Sequence, residues 1–178
     1  VASGLPFLAH DSRAHQVYYV VMEDGRERAA RRLEALGATV PTWRPGAFVL
    51  DFGLPGYERA IEAARTGRWR LVIDPMIEVV AARGVEENDN AQMSRFVAEH
   101  REIVQRSGSA ILWTHHMRKM GDIKRGASSI DAAVDAWADI QAVKGRSGVV
   151  QLSWWNRDAE PAVEAIEVSK PNGTFEFR

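Results

Sequence analysis

Arg70-Leu71-Val72-Ile73-Asp74-Pro75 is an apolar run that stops on a carboxylate, and Ala110-Ile111-Leu112-Trp113-Thr114 is a second that stops on His115-His116, with Lys119 close behind. Short apolar runs rich in β-branched residues and bounded by polar or turn residues read as buried strands. An earlier run, Val17-Tyr18-Tyr19-Val20-Val21-Met22, ends in the same way on Glu23-Asp24. Ligands of open parallel sheets bind in the crevice outside the carboxyl ends of the strands. Three strands that each deliver polar groups there therefore describe an α/β site. Acid, acid and imidazole suit metal-nucleotide chemistry better than a plain scaffold.

The segments between these strands read mainly as helices. Residues 24–36 carry Asp24 as a candidate N-cap, Glu27 at the third helical position and Gly37 as a stop, the spacing of a capping box and a C-terminal glycine. Residues 38–56 are punctuated by Pro41, Pro45, Gly46, Pro55 and Gly56 and read as a connection with a short strand at 47–51. A second helix at 57–66 places Ile61 and Ala64 on one face and ends at Gly67. After Pro75, residues 83–90 are too hydrophilic for a core and read as a loop. A long helix follows at 91–107, with Met93, Phe96, Val97, His100 and Val104 at helical spacing. His100 falls on that apolar face and reads as a core residue.

Beyond the second histidine-tipped strand, residues 117–126 form a short basic loop, 129–138 read as a helix and 140–144 as a strand. Alternating runs at 149–155 and 162–169 read as antiparallel strands joined near 158–161. The expected fold is α/β: a mostly parallel sheet flanked by helices, with an antiparallel C-terminal edge or hairpin.

Composition narrows the function classes. The 178 residues suit one domain, and 46% apolar residues suffice for one core. A net charge of −1 excludes a uniformly basic nucleic-acid surface but leaves room for a local basic strip. Only four of the 23 basic residues are lysine. Arginine favours bidentate work on phosphates and carboxylates, and a GC-rich genome produces the same bias. Without cysteine there is no disulfide framework and no thiolate metal site, which is compatible with a reducing cytoplasm. No apolar run approaches the roughly 18 residues that a membrane helix needs. The amino end lacks both an initiator Met and the charged and apolar regions of a signal peptide, so the expectation is a piece of a longer protein.

Each candidate residue has a structural alternative. Asp74 can hold Mg2+ through water, since magnesium keeps several waters and takes only one or two protein carboxylates. Alternatively, it caps the next helix or binds its own turn, which Pro75 favours. Glu23 can orient or deprotonate an attacking water. Asp24 stands beside it and already has a capping role. His115 and His116, followed by Arg118, Lys119, Lys124 and Arg125, offer donors that could feel a terminal phosphate and relay its loss to the loop. Zinc suits this pair poorly, because adjacent residues rarely point the same way and no third ligand is spaced for it.

In this order the motifs resemble the RecA-like ATPases of the RepA type, hexameric plasmid-replication helicases, and their AAA_25 relatives. Ala2-Ser3-Gly4-Leu5-Pro6-Phe7-Leu8 is similar to the end of the helix after that family's phosphate-binding loop. Glu23-Asp24 matches its acidic pair, in which the glutamate activates water, and Arg31-Arg32 resembles the arginine-rich continuation. Leu71-Val72-Ile73-Asp74-Pro75 looks like the Walker B strand, and Asn88-Asp89-Asn90-Ala91 like the loop entering the next helix. Trp113-Thr114-His115-His116-Met117-Arg118-Lys119 resembles the histidine sensor motif, and Arg125-Gly126-Ala127-Ser128-Ser129 the segment near a subunit interface or DNA-facing loop.

The resemblance implies a single RecA-like ATPase core over residues 1–178, with Mg2+ and ATP as cofactor and substrate. Asp74 would lie on the metal side, Glu23 at the water, and His115 or His116 at the terminal phosphate. Asp24, Lys119, Arg125 and Arg157 would stand around the nucleotide, with Arg125 or Arg157 able to act across a subunit boundary. It also implies single-stranded DNA as a partner and a homo-oligomer such as a hexamer. Two features depart from the pattern. No Gly-x-x-x-x-Gly-Lys-Ser/Thr occurs in the sequence; that loop cradles phosphates, and its first strand is expected upstream of Val1. Relatives also often place a basic residue two positions before an arginine like Arg157, where this chain has Trp155. The rival expectations are a RecA-like regulatory or binding module without catalysis and an unrelated metal-dependent phosphohydrolase.

Overall fold

A computed structural model describes residues 15–35, 47–115, 130, 133–157, 159–169 and 176–177. The chain divides into two compact units, one of Val1–Ala29 with Val40–Ala133, the other of Ala30–Thr39 with Val134–Arg178.

The first unit is built on strands β1 (Gln16–Val21), β2 (Phe48–Phe52), β3 (Trp69–Asp74) and β4 (Ala110–Trp113), in the order β2-β1-β3-β4. All three pairings are parallel. Parallel neighbours need crossover connections. The described helices are α1 (Arg26–Ala35), whose residues are divided between the two units, α2 (Gly53–Thr66), α3 (Met76–Ala82) and α4 (Asn90–Ser107).

Strand alternation divides the sheet into two faces. Tyr18 and Val20 of β1 share a face with Leu71 and Ile73 of β3. Against this face pack Tyr57, Ala60, Ile61 and Ala64 of α2, Met76, Val79 and Val80 of α3, and Met93, Phe96 and Val97 of α4. The opposite face carries Tyr19 beside Val72 and Leu112, and Val21 beside Asp74. Leu112 on that face is 61% exposed.

Helix ends follow the expected chemistry in α4. The Asp89 carboxylate accepts the Ala91 and Gln92 amides at 2.8 and 3.0 Å, and Gly108 closes the helix at φ 68°. Three expectations are corrected. Helix α1 begins at Arg26, where the Arg28 and Ala29 amides bond the Gly25 carbonyl. The cap position thus falls on Gly25, one residue later than a capping box on Asp24 requires. Helix α2 begins at Gly53 and includes Pro55 and Gly56; first-turn amides have no partner within a helix, so proline is tolerated there. Helix α3 starts directly after Pro75 and was not expected, although Met76, Val79 and Val80 are buried at helical spacing.

The second unit contains an antiparallel sheet of β5 (Ala136–Ala142), β6 (Val149–Asn156), β7 (Ala159–Ser169) and β8 (Glu176–Phe177), in sequence order. The expected hairpin is its centre, β6 paired with β7. The helix expected at 129–138 is corrected at its end: Ile130 and Ala133 are helical, but residues 136–138 already belong to β5. The cross-strand pairs Trp137–Trp155 and Ile140–Leu152 explain this, since aromatic and β-branched partners favour a pleated surface. Gly148 turns the chain into β6 at φ 74°, and a Cβ there would meet the Val168 carbonyl at 2.9 Å.

Candidate functional site

Register brings the polar strand ends of the first unit together. Val21 stands opposite Asp74, and the next amide, that of Met22, donates to the Asp74 carbonyl at 2.8 Å. Glu23 is therefore delivered just beyond the end of β1, next to the end of β3, and it is exposed. On the other side of β3, the Thr114 amide bonds the Ile73 carbonyl at 3.0 Å, and the Met76 amide bonds the Thr114 carbonyl at 2.9 Å. His115 follows immediately and is half-buried.

Asp74 is the hub of this edge. Its Oδ1 accepts the Thr114 hydroxyl at 2.5 Å and its Oδ2 accepts the Tyr19 hydroxyl at 2.7 Å. Asp74 makes no cap: α3 has Pro75 at its N-cap and no side-chain bond there. The capping alternative for Asp74 is thereby removed. An ionised carboxylate has about four lone-pair sites, so two hydroxyls leave each oxygen with further acceptor capacity. Such a group fits a water-mediated Mg2+ ligand, which needs only one or two carboxylates. Among the described residues no group of three or more His, Cys, Asp or Glu is gathered for a metal. If magnesium binds here, Asp74 would hold it and the ion would supply charge neutralisation of phosphate oxygens.

Asp24 has an 11% exposed side chain whose Oδ1 lies 3.3 Å from Nη1 of Arg28, four residues on in the chain. Arg157 belongs to the second unit; its Nε is 3.7 Å from Asp135 Oδ1 and its amide bonds the Asp135 carbonyl at 3.2 Å. His116, Lys119 and Arg125 lie outside the described residues. Of the expected site residues, the sheet thus brings Glu23, Asp24, Asp74 and His115 to one edge.

Sequence reasoning missed Tyr19 and Thr114, the two partners of Asp74. The signal for Thr114 was its place between an apolar strand and two histidines. Tyr19 gave less, because either of two consecutive tyrosines can face a given side of a sheet.

Asp51, at the end of β2, is a second strand-end carboxylate of different character. It accepts the Tyr18 hydroxyl at 2.8 Å, the Phe52 amide at 2.9 Å, and both Nε and Nη2 of Arg59 at 2.8 Å. The Arg59 hydrogen bonds hold its carboxyl far below the usual range, with the Tyr18 and Phe52 bonds adding to this against partial burial. That charge is neutralised in place.

Compared with known proteins, the chain matches the AAA_25 family, described as an AAA domain, over residues 1–122. The match covers the whole strand edge just described and stops short of Arg125 and Arg157. No curated protein matches the chain. Among the described residues no helix is long and apolar enough to cross a membrane.

Proposed function

Because the chain belongs to the AAA_25 family of AAA domains, a P-loop ATPase family, we propose that it is the ATP-binding and hydrolysing core of a RecA-like motor, akin to the RepA-type replication helicases. The observation that carries this reading is Asp74, a strand-end carboxylate held by two neutral hydroxyls beside the strand that delivers Glu23. Asp74 holds magnesium through water. Glu23 accepts a proton from the water that attacks the terminal phosphorus, and its exposure keeps it accessible to that water. His115, one residue past β4, senses the departing phosphate, together with or in place of His116. Asp24, Lys119 and Arg125 complete the nucleotide surroundings, and Arg125 or Arg157 reaches the nucleotide of a neighbouring subunit. One core over residues 1–178, assembly into a homo-oligomer such as a hexamer and single-stranded DNA as the partner belong to the same proposal and rest on the resemblance of motifs.

Steady-state ATP turnover by the full-length protein tests it. Glu23→Gln is expected to lower kcat by about 10²–10⁴-fold, the range for a general base, with nucleotide affinity retained. Undiminished turnover removes Glu23 from the role. A full-length protein that binds no ATP would instead support the binding-module alternative.

A further inference from the structure

Two consecutive tyrosines of β1 each donate a hydroxyl to a carboxylate in the last two residues of a neighbouring strand. Tyr18 reaches Asp51 on β2 at 2.8 Å, and Tyr19 reaches Asp74 on β3 at 2.7 Å. Adjacent residues of a strand point to opposite faces, so the two contacts lie on opposite sides of the sheet. What surrounds the two acids differs. Asp51 also meets the Arg59 guanidinium in a bidentate pair. Among the described residues, the Asp74 carboxylate meets only the hydroxyls of Tyr19 and Thr114 and no cation. A carboxylate neutralised by arginine has no charge to spare. One positioned by neutral donors keeps its charge and has its direction fixed.

We propose that Tyr19, together with Thr114, is a positioning residue that fixes the carboxylate of Asp74 for a divalent cation; this rests on the ATPase reading above. Tyr19 stands opposite Val72, two residues before Asp74 on the same face of β3. It is thus the diagonal cross-strand neighbour of Asp74, a spacing that long aromatic side chains bridge. The ring alone would be supplied equally by phenylalanine; the hydroxyl is what reaches Oδ2. With one hydroxyl on each oxygen, the carboxylate cannot turn about its last bond without losing both contacts. Its remaining lone pairs then point in fixed directions. Groups that orient a metal ligand in this way set metal affinity, and losing one typically costs 10–100-fold.

The tests are ATP turnover by the full-length protein as a function of free Mg2+ and, without turnover, direct titration of the same proteins with Mn2+ followed by electron paramagnetic resonance, for wild type, Tyr19→Phe, Thr114→Ser and Thr114→Val. Tyr19→Phe and Thr114→Val are expected to raise the half-saturating concentration of either metal by about tenfold, with kcat recovering at saturating metal. Thr114→Ser, which keeps the hydroxyl, is expected to follow the wild-type curve. A merely structural role would lower the amount of active protein and leave the metal midpoint in place. If Tyr19→Phe does not fold, the Ser and Val variants at 114 carry the same comparison. Wild-type Mg2+-dependent turnover with superimposable metal curves for all variants overturns this proposal alone. Absence of any Mg2+-dependent turnover in the wild type overturns the ATPase reading and this proposal with it.

Discussion

The Tyr57 hydroxyl lies 2.5 Å from Nε2 of His100, and the Nδ1 of the same ring faces the Phe96 carbonyl at 2.6 Å. A carbonyl only accepts, so Nδ1 carries the hydrogen and Nε2 accepts from Tyr57. This bridge joins α2 to α4 inside the core, with the Trp113 ring edge-on to the imidazole at 5.0 Å between centroids. His100 is 3% exposed, and the sequence-based expectation of a core histidine holds.

A pH dependence of stability follows from that burial. Burial holds the His100 pKa below its ordinary value; the Phe96 carbonyl and Glu99 oppose this, while Arg83 and Arg65 reinforce it. In the unfolded chain a histidine takes up its proton near pH 6.5, about the ordinary value. Below that pH the unfolded state binds more protons, so the stabilisation present above about pH 6.5 is lost as pH falls towards the folded-state value. Thermal midpoints measured from about pH 8 down to about pH 5 are expected to fall over the acidic half. His100→Gln is expected to flatten this histidine component of the profile while lowering stability at neutral pH by about 1–3 kcal/mol, the cost of disturbing a buried polar pair.

At Gly56 the usual order of helix formers is expected to be reversed. Alanine normally favours a helix interior over glycine by about 1 kcal/mol. A Cβ on Gly56 would lie 3.0 Å from Cγ of Asp51 and 3.1 Å from its Oδ1. Asp51 has little freedom to retreat, being pinned by Tyr18, Phe52 and Arg59. Gly56→Ala is therefore expected to destabilise the protein by about 1 kcal/mol in urea unfolding. In an Asp51→Ala background the same change is expected to stabilise, and a double-mutant cycle reads the difference directly.

Ser109 ties three elements at one point. Its hydroxyl oxygen accepts the Trp69 amide at 3.1 Å and faces the carbonyls of Ala64 and Gly67 at 3.0 and 2.5 Å. It thereby joins the end of α2, the start of β3 and the approach to β4. Ser109→Ala leaves the Trp69 amide without this acceptor and is expected to cost about 1–3 kcal/mol by chemical denaturation. A solvent-exposed serine changed in the same way would move stability by no more than about 0.5 kcal/mol.

The α/β class and most elements of the first unit were legible because their signals are local. Apolar runs ended on polar residues, and the hydrophilic stretch 83–90 marked the start of the helix expected at 91–107, within one residue of α4. The α3 helix escaped because seven residues carry only two turns of periodicity, and Pro75 reads equally well as the start of a loop. In the candidate site, the strand ends exposed Glu23, Asp74 and His115 to sequence reasoning. The partners of Asp74 are a matter of register: a shift of β1 by one residue would exchange Tyr19 for Tyr18. The β5 strand was partly concealed because Asp135–Ala138 also suits a helix, and its pairing with β6 decides the outcome.

The cluster around Asp74 has one further consequence. Tyr19 and Asp74 are 55 positions apart in the chain, and Asp74 and Thr114 are 40 apart. Helices α2 and α4 can form from contacts within themselves, whereas these hydroxyls reach their carboxylate only after both crossovers have closed. Contacts of such long range are slow to form. A ligand that requires the oriented carboxylate would therefore select chains in which β1, β3 and β4 are paired and draw the population towards them by mass action. Occupancy of this edge would thus report that this parallel sheet has closed.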